Sequence, residues 1–234
     1  GVVLCHGLGA SHDQYLPLAK ELHQAGFVVL MLDCRGQGDS AGGVVTYGLR
    51  ERTDVLAGVK FLRELSSVDD AKVCVVGHDI GAQAALEAAG LDSTVAAVVA
   101  DGLWPRFEER ARDIFAQPLG KVPTQWLAPL YTTAFEIALG ERWQFWEPET
   151  VVRSIHRQPV LFISQPGSQY APLSEVVHLA AESGGKHEVI VADRKTAAEV
   201  DDGIRQFLVD STGWRGTSAK GVEEIQRLLK NRVK

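Results

Sequence analysis

Apolar runs at 2–5, 27–33, 73–76, 95–101, 159–164 and 188–193 alternate with stretches of helical periodicity at 14–25, 49–65, 80–89, 173–182 and 196–209. The short runs predict strands and the periodic stretches predict helices. A run such as Phe27-Val28-Val29-Leu30-Met31-Leu32 has no polar face, which predicts a strand buried on both sides. Strands alternating with helices imply a mostly parallel, doubly wound sheet joined by right-handed crossovers.

Two segments break this rhythm. Residues 103–156 hold five prolines and four of the five tryptophans, among them Trp104 and Trp126. An insertion between two strands here lies over their carboxyl ends, where open α/β sheets bind ligands. It is expected to be a helical cap, its aromatics either lining a ligand pocket or forming the cap's own small core. Residues 211–234 read as a Gly/Ser/Thr-rich linker, then an amphipathic helix with Val222, Ile225, Leu228 and Leu229 on one face. That helix packs back on the domain or docks on a protein partner. The expected division is a core of 1–102 and 157–210, a cap of 103–156, and the tail.

Composition narrows the function classes. A chain of 234 residues suffices for one sizeable α/β domain. Its net charge of −6 argues against a nucleic-acid partner. No apolar run is long enough to span a bilayer, so no integral membrane segment is expected. No signal peptide is visible and a cytoplasmic location is expected, although Gly1 already stands at the start of a strand. The three cysteines, Cys5, Cys34 and Cys74, are widely spaced, and no metal-binding pair stands out. Cys5 and Cys74 read as small apolar core residues, while Cys34 lies at a strand's carboxyl end. No metal or cofactor is expected.

The most informative stretch is Val73-Cys74-Val75-Val76-Gly77-His78-Asp79-Ile80-Gly81, followed by an alanine-rich helix. It predicts a strand, a sharp turn and a helix, with glycines where the backbones must approach closely. Three further motifs follow the same order. They are Cys5-His6-Gly7-Leu8-Gly9 after the first strand, Asp33-Cys34-Arg35-Gly36-Gln37-Gly38-Asp39-Ser40 after the second, and Tyr47-Gly48-Leu49-Arg50-Glu51 at a helix entry. Together they resemble the α/β-hydrolase superfamily, in its branch near dienelactone hydrolases and serine aminopeptidases. The likeness is strong over 1–102 and weaker over 159–209.

The resemblance implies an α/β-hydrolase fold with a nucleophile elbow whose central residue is Asp79. It implies an oxyanion hole from the backbone N–H groups of Leu8 and Ile80. It also exposes a degenerate triad. Asp79 stands where the family has serine. Ser168 stands nearest the acid position and Lys195 nearest the histidine position. Asp101 is a candidate displaced acid and His12 a candidate substitute base. His6 is expected to be structural, bonded to backbone, and His78 to point into packing. With Trp104, Trp126 and Tyr131 these two histidines are the expected pocket residues.

Two functions follow. Simultaneous departure at all three triad positions implies a protein that has lost serine-hydrolase catalysis and acts in ligand or protein binding, with a small molecule under the cap. The alternative is an aspartate-nucleophile hydrolase, like epoxide hydrolases or haloalkane dehalogenases, in which Asp79 attacks carbon and Tyr131 or Tyr170 holds an epoxide oxygen. An ester or acyl hydrolase with a relocated triad is a further variant.

Overall fold

A computed structural model describes residues 1–104, 106, 128–140, 142, 147–164, 171–192 and 196–213. Its centre is a six-stranded sheet in the order β2-β1-β3-β4-β5-β6, with every neighbouring pair parallel. The strands are β1 (Val2–Cys5), β2 (Val29–Leu32), β3 (Cys74–His78), β4 (Val98–Asp101), β5 (Val160–Ser164) and β6 (His187–Val191). Among the described residues the helices are α1 (Leu16–Gln24), α2 (Glu51–Arg63), α3 (Ile80–Leu91), α4 (Ala128–Leu139), α5 (Pro148–Ser154), α6 (Leu173–Glu182) and α7 (Ala197–Thr212). The parallel α/β architecture expected from the hydrophobic pattern is therefore present.

Side-chain alternation along each strand divides the core in two. Val3, Cys5, Val75, Val98, Val160 and Phe162 face a layer built by α2, α3, α5 and α6. Val2, Leu4, Val76, Val99, Leu161 and Ile163 face the opposite layer, where Leu18 and Leu22 of α1 meet Ile204 and Phe207 of α7. Val151, Val152 and Ile155, within and just after α5, are buried in the first of these cores.

One expectation fails at the sheet's end. Residues 27–32 were expected to be buried on both faces, yet Val29–Leu32 are only half-buried. Among the described residues β2 has β1 on one side and no strand on the other, so its continuous apolar run belongs to an edge strand. The expected helix 14–25 also divides. A 3-10 turn, His12–Tyr15, comes first, and the α-helix begins at Leu16 with Pro17 in its first turn.

The chain reverses direction across the sheet at β1. From β1 it winds out to β2, then returns to β3 on β1's other side. That switch leaves a crevice between the carboxyl ends of β1 and β3. The crevice holds the loop beginning His6-Gly7-Leu8 and the turn at Asp79. No helix among the described residues is long and apolar enough to cross a membrane.

Candidate functional site

The turn after β3 is tight because its two glycines let two backbones touch. A Cβ on Gly77 would overlap the Gly81 carbonyl oxygen, and a Cβ on Gly81 would overlap the Cys5 carbonyl. Asp79 between them sits at φ 52°, ψ −115°, a strained conformation for a non-glycine residue. Its backbone N–H donates to the Asp101 carbonyl at 2.9 Å. Its own carbonyl accepts the N–H of Ala82 at 3.0 Å, starting α3. Asp79 is thus lifted off the strand end at the helix N-terminus, as the elbow motif implies.

The loop after β1 presents successive N–H groups to side chains from three other places. Gly7 N–H donates to Gln14 Oε1 at 3.1 Å and Gly9 N–H to Gln37 Oε1 at 2.7 Å. Between them, Leu8 N–H donates to Asp79 Oδ2 at 3.2 Å. One of the two donors implied for an oxyanion hole therefore faces the carboxylate of the elbow residue itself. Ile80 follows Asp79 as the first residue of α3, and its side chain is fully buried.

Asp33, largely buried at the end of β2, braces that loop. Its carboxylate accepts the backbone N–H of His12 at 2.6 Å, the His12 ring Nδ1 at 2.9 Å and the Asp39 N–H at 3.0 Å. Burial pushes the Asp33 pKa up, but the Asp39 N–H and His12 outweigh it and hold the group at about 2. The hydrogen bond to Asp33 in turn raises the His12 pKa. His12 Nε2 lies 3.4 Å from Asp13, so the candidate base has carboxylates on both ring nitrogens. His6 is fully buried: Nδ1 donates to the Gly7 carbonyl at 2.8 Å and Nε2 accepts the Cys34 N–H at 3.2 Å. These bonds fix its tautomer and tie it to backbone.

His78 differs from its expectation. Its side chain is 30% exposed, and Nδ1 lies 2.9 Å from Asp101 Oδ2. The cause is register: β3 pairs with β4 so that His78 and Asp101 are cross-strand partners. Burial lowers the His78 pKa, but the Asp101 hydrogen bond and the charges of Asp101 and Asp79 raise it on balance. The ring's far edge stands beside Asp79. A Cβ built on Gly7 would meet His78 Cδ2 at 2.9 Å, Asp79 Cβ at 3.3 Å and His78 Nε2 at 3.7 Å. A carboxylate-oriented imidazole and the Cβ of the elbow residue therefore both lie against Gly7.

The remaining candidates are more scattered. Trp104 is 1% exposed and belongs to the largest buried side chains. Tyr131 is a residue of α4. Trp126, Ser168, Tyr170, Lys195 and the tail helix lie outside the described residues. Among the described residues no three His, Cys, Asp or Glu side chains are grouped to hold a metal ion. Sequence reasoning missed Asp33 as the brace of the loop and the His78–Asp101 pair. The signal for Asp33 was present in its motif, where Gly38 leaves room for the carboxylate.

A family model described as alpha/beta hydrolase family matches residues 2–224. The uncharacterized protein YqkD of Bacillus subtilis is 26% identical over 195 residues, which make up 82% of this chain and 63% of YqkD. This chain thus spans less than two thirds of that relative's length. Among solved structures, DcsB in complex with its substrate analogue matches with a TM-score of 0.69 and 18% identity, over 90% of each chain. The esterase Pf2001 of Pyrococcus furiosus matches with a TM-score of 0.66 and 21% identity, over 92% of this chain and 83% of that one. At such identities the likeness shows the fold alone.

Proposed function

We propose that this chain, which belongs to the α/β-hydrolase family, is a binding member of it that does not carry out serine-hydrolase catalysis. The observation behind this reading is the hydrogen bond from Leu8 N–H to Asp79 Oδ2 at 3.2 Å. In acyl transfer that N–H would hold charge developing on a substrate oxygen. Here the protein's own carboxylate takes the donor, and a negative group at that point repels a second oxyanion. The sequence also supplies no serine in the elbow and no histidine after His187. The serine route is then missing, and so is a histidine at the family's general-base position, where such a base is worth ~10²–10⁴-fold. Since Val151, Val152 and Ile155 belong to the core, the cap we propose is the part of the insertion that precedes α5, with Trp126 and Tyr131, and a small apolar ligand is its proposed occupant. The test is hydrolysis of p-nitrophenyl acetate and butyrate. No turnover above a heat-denatured control is expected, and turnover abolished by Asp79→Ala would overturn the proposal.

A second reading rests on the His78–Asp101 pair at 2.9 Å. An imidazole oriented by a carboxylate beside Asp79 is a candidate water activator for an aspartate-nucleophile hydrolase. Intact-mass measurement after incubation with styrene oxide or a short bromoalkane separates the two. The binding reading expects no adduct. Turnover lost in both Asp79→Asn and His78→Gln would establish the second reading instead.

A further inference from the structure

Two thiols meet directly beneath this site. Cys5 ends β1 and Cys34 follows β2 by two residues. Their Sγ atoms are 2.9 Å apart, and both side chains are fully buried. The register explains the meeting. Cys5 pairs with Leu32, and alternation returns Cys34 to the same face of the sheet as Leu32. Both sulfurs therefore point into the core that β1 shares with Val55 and Val59 of α2. Cys74 faces the opposite core.

We infer that Cys5 and Cys34 form a redox-active dithiol that hydroperoxides close to an intrachain disulfide. A disulfide requires an S–S distance of about 2.05 Å, so the two sulfurs must close the gap from 2.9 Å. The chemistry takes two steps. One sulfur attacks the terminal peroxide oxygen, the O–O bond breaks, and the departing oxygen takes that thiol's proton, leaving as water from hydrogen peroxide or as an alcohol from an organic hydroperoxide. The product is a cysteine sulfenic acid. The second sulfur then attacks the first, the S–O bond breaks, and water carries away the second thiol proton. The two sulfurs are oxidised and the peroxide is reduced. Bringing the second thiol to hydrogen-bond distance makes the second step intramolecular, so further oxidation of the sulfenic acid is outrun.

The position gives the bond a consequence. Cys5 directly precedes His6-Gly7-Leu8, and Cys34 directly follows Asp33. The Cys34 N–H already donates to His6 Nε2. A disulfide would fasten the strand end that carries the Leu8 donor to the strand end that carries its brace. Burial makes the first step slow. The hydrogen bond to Cys34, and burial after it, raise the Cys5 pKa and keep that thiol protonated. The same burial shields the closed bond from reductants.

The intact chain is treated with excess hydrogen peroxide, then measured by intact mass and by non-reducing peptide mapping. The expected result is loss of two hydrogen atoms, mapped to a Cys5–Cys34 cross-link that dithiothreitol reverses once the chain is unfolded, with Cys74 recovered as a free thiol. The oxidised form should melt about 5 °C or more above the reduced form, since the bond closes a long loop in the unfolded chain. Amide exchange at Leu8 and Gly9 should slow. Cys34→Ser and Cys34→Ala should each abolish the cross-link, and either one serves if the other fails to fold. Recovery of both residues as free thiols, sulfinic or sulfonic acid at either without a cross-link, or a cross-link to Cys74 would overturn the inference.

Discussion

Replacing a hydroxyl by a carboxylate at residue 79 changes what the neighbouring N–H groups and imidazoles experience. Serine is neutral and donates; an ionised aspartate only accepts. That difference accounts for the Leu8 bond to Asp79 and for part of the rise in the His78 pKa. Asp101 supplies the rest through its hydrogen bond and its charge, so Asp101→Asn should lower the His78 midpoint. Following the His78 ring protons by NMR from pH 5 to 9 checks this, and an unmoved midpoint would contradict it. Asp79, Leu8 and His6 were legible in the sequence because each lies in a short motif whose backbone geometry is local. The His78–Asp101 pair was not. Its partners are separated by the whole of α3, and only the β3–β4 register places them side by side.

Among the elements, α3 is the one that backbone contact constrains most. It is buried from Ile80 to Ala89, with alanine and glycine where the sheet approaches. A methyl group on Gly81 would overlap the Cys5 carbonyl, and backbone cannot swing aside. Gly81→Ala should therefore cost about 3 kcal/mol or more, as other overpacked core sites do. Gly58 in α2 is the contrast. A Cβ there would meet only side-chain methyls, of Leu30 and Leu32 at 3.2 Å and Val3 at 3.3 Å. The gain of up to ~1 kcal/mol in helix propensity should offset that crowding and leave Gly58→Ala near neutral. Urea denaturation of the two variants tests the contrast, and equal losses would refute it. The elements themselves were readable from periodicity, and their ends shifted by a few residues where caps rather than hydrophobicity decide. Thr196 is outside α7, for example, because its side chain accepts the Glu199 N–H as an N-cap. That β2 has a single strand neighbour among the described residues was not readable, since an apolar run looks the same with one neighbour or two.

At the scale of the whole molecule, charge is distributed so that stability depends on pH from both sides. Asp33 is held at about 2 in the folded chain, below its ordinary 3.8. Its contribution is full above about pH 4 and is lost as pH falls through 2. His12 is raised by Asp33, so its contribution is full below its ordinary 6.5 and is lost as pH rises through its folded value. Asp201 on α7 acts in the same direction as His12. Burial, then the charges of Glu21 and Asp101, push its carboxyl up to about 6. The folded chain then holds that proton more tightly than the unfolded chain, so stability falls as pH rises from about 4 to about 6 and stays lower beyond. Asp201 is half-buried, and solvent screening reduces the effect to about 1 kcal/mol. Asparagine at 201 keeps the shape and carries no charge to desolvate or repel. Asp201→Asn should therefore raise the melting temperature by about 2–4 °C at pH 8 and leave it nearly unchanged at pH 4. Thermal melts of both proteins at the two pH values decide the matter. An equal gain at both would show that packing, not the proton, is what the substitution improves, and a loss at pH 8 would show that the charge on Asp201 has a partner worth keeping.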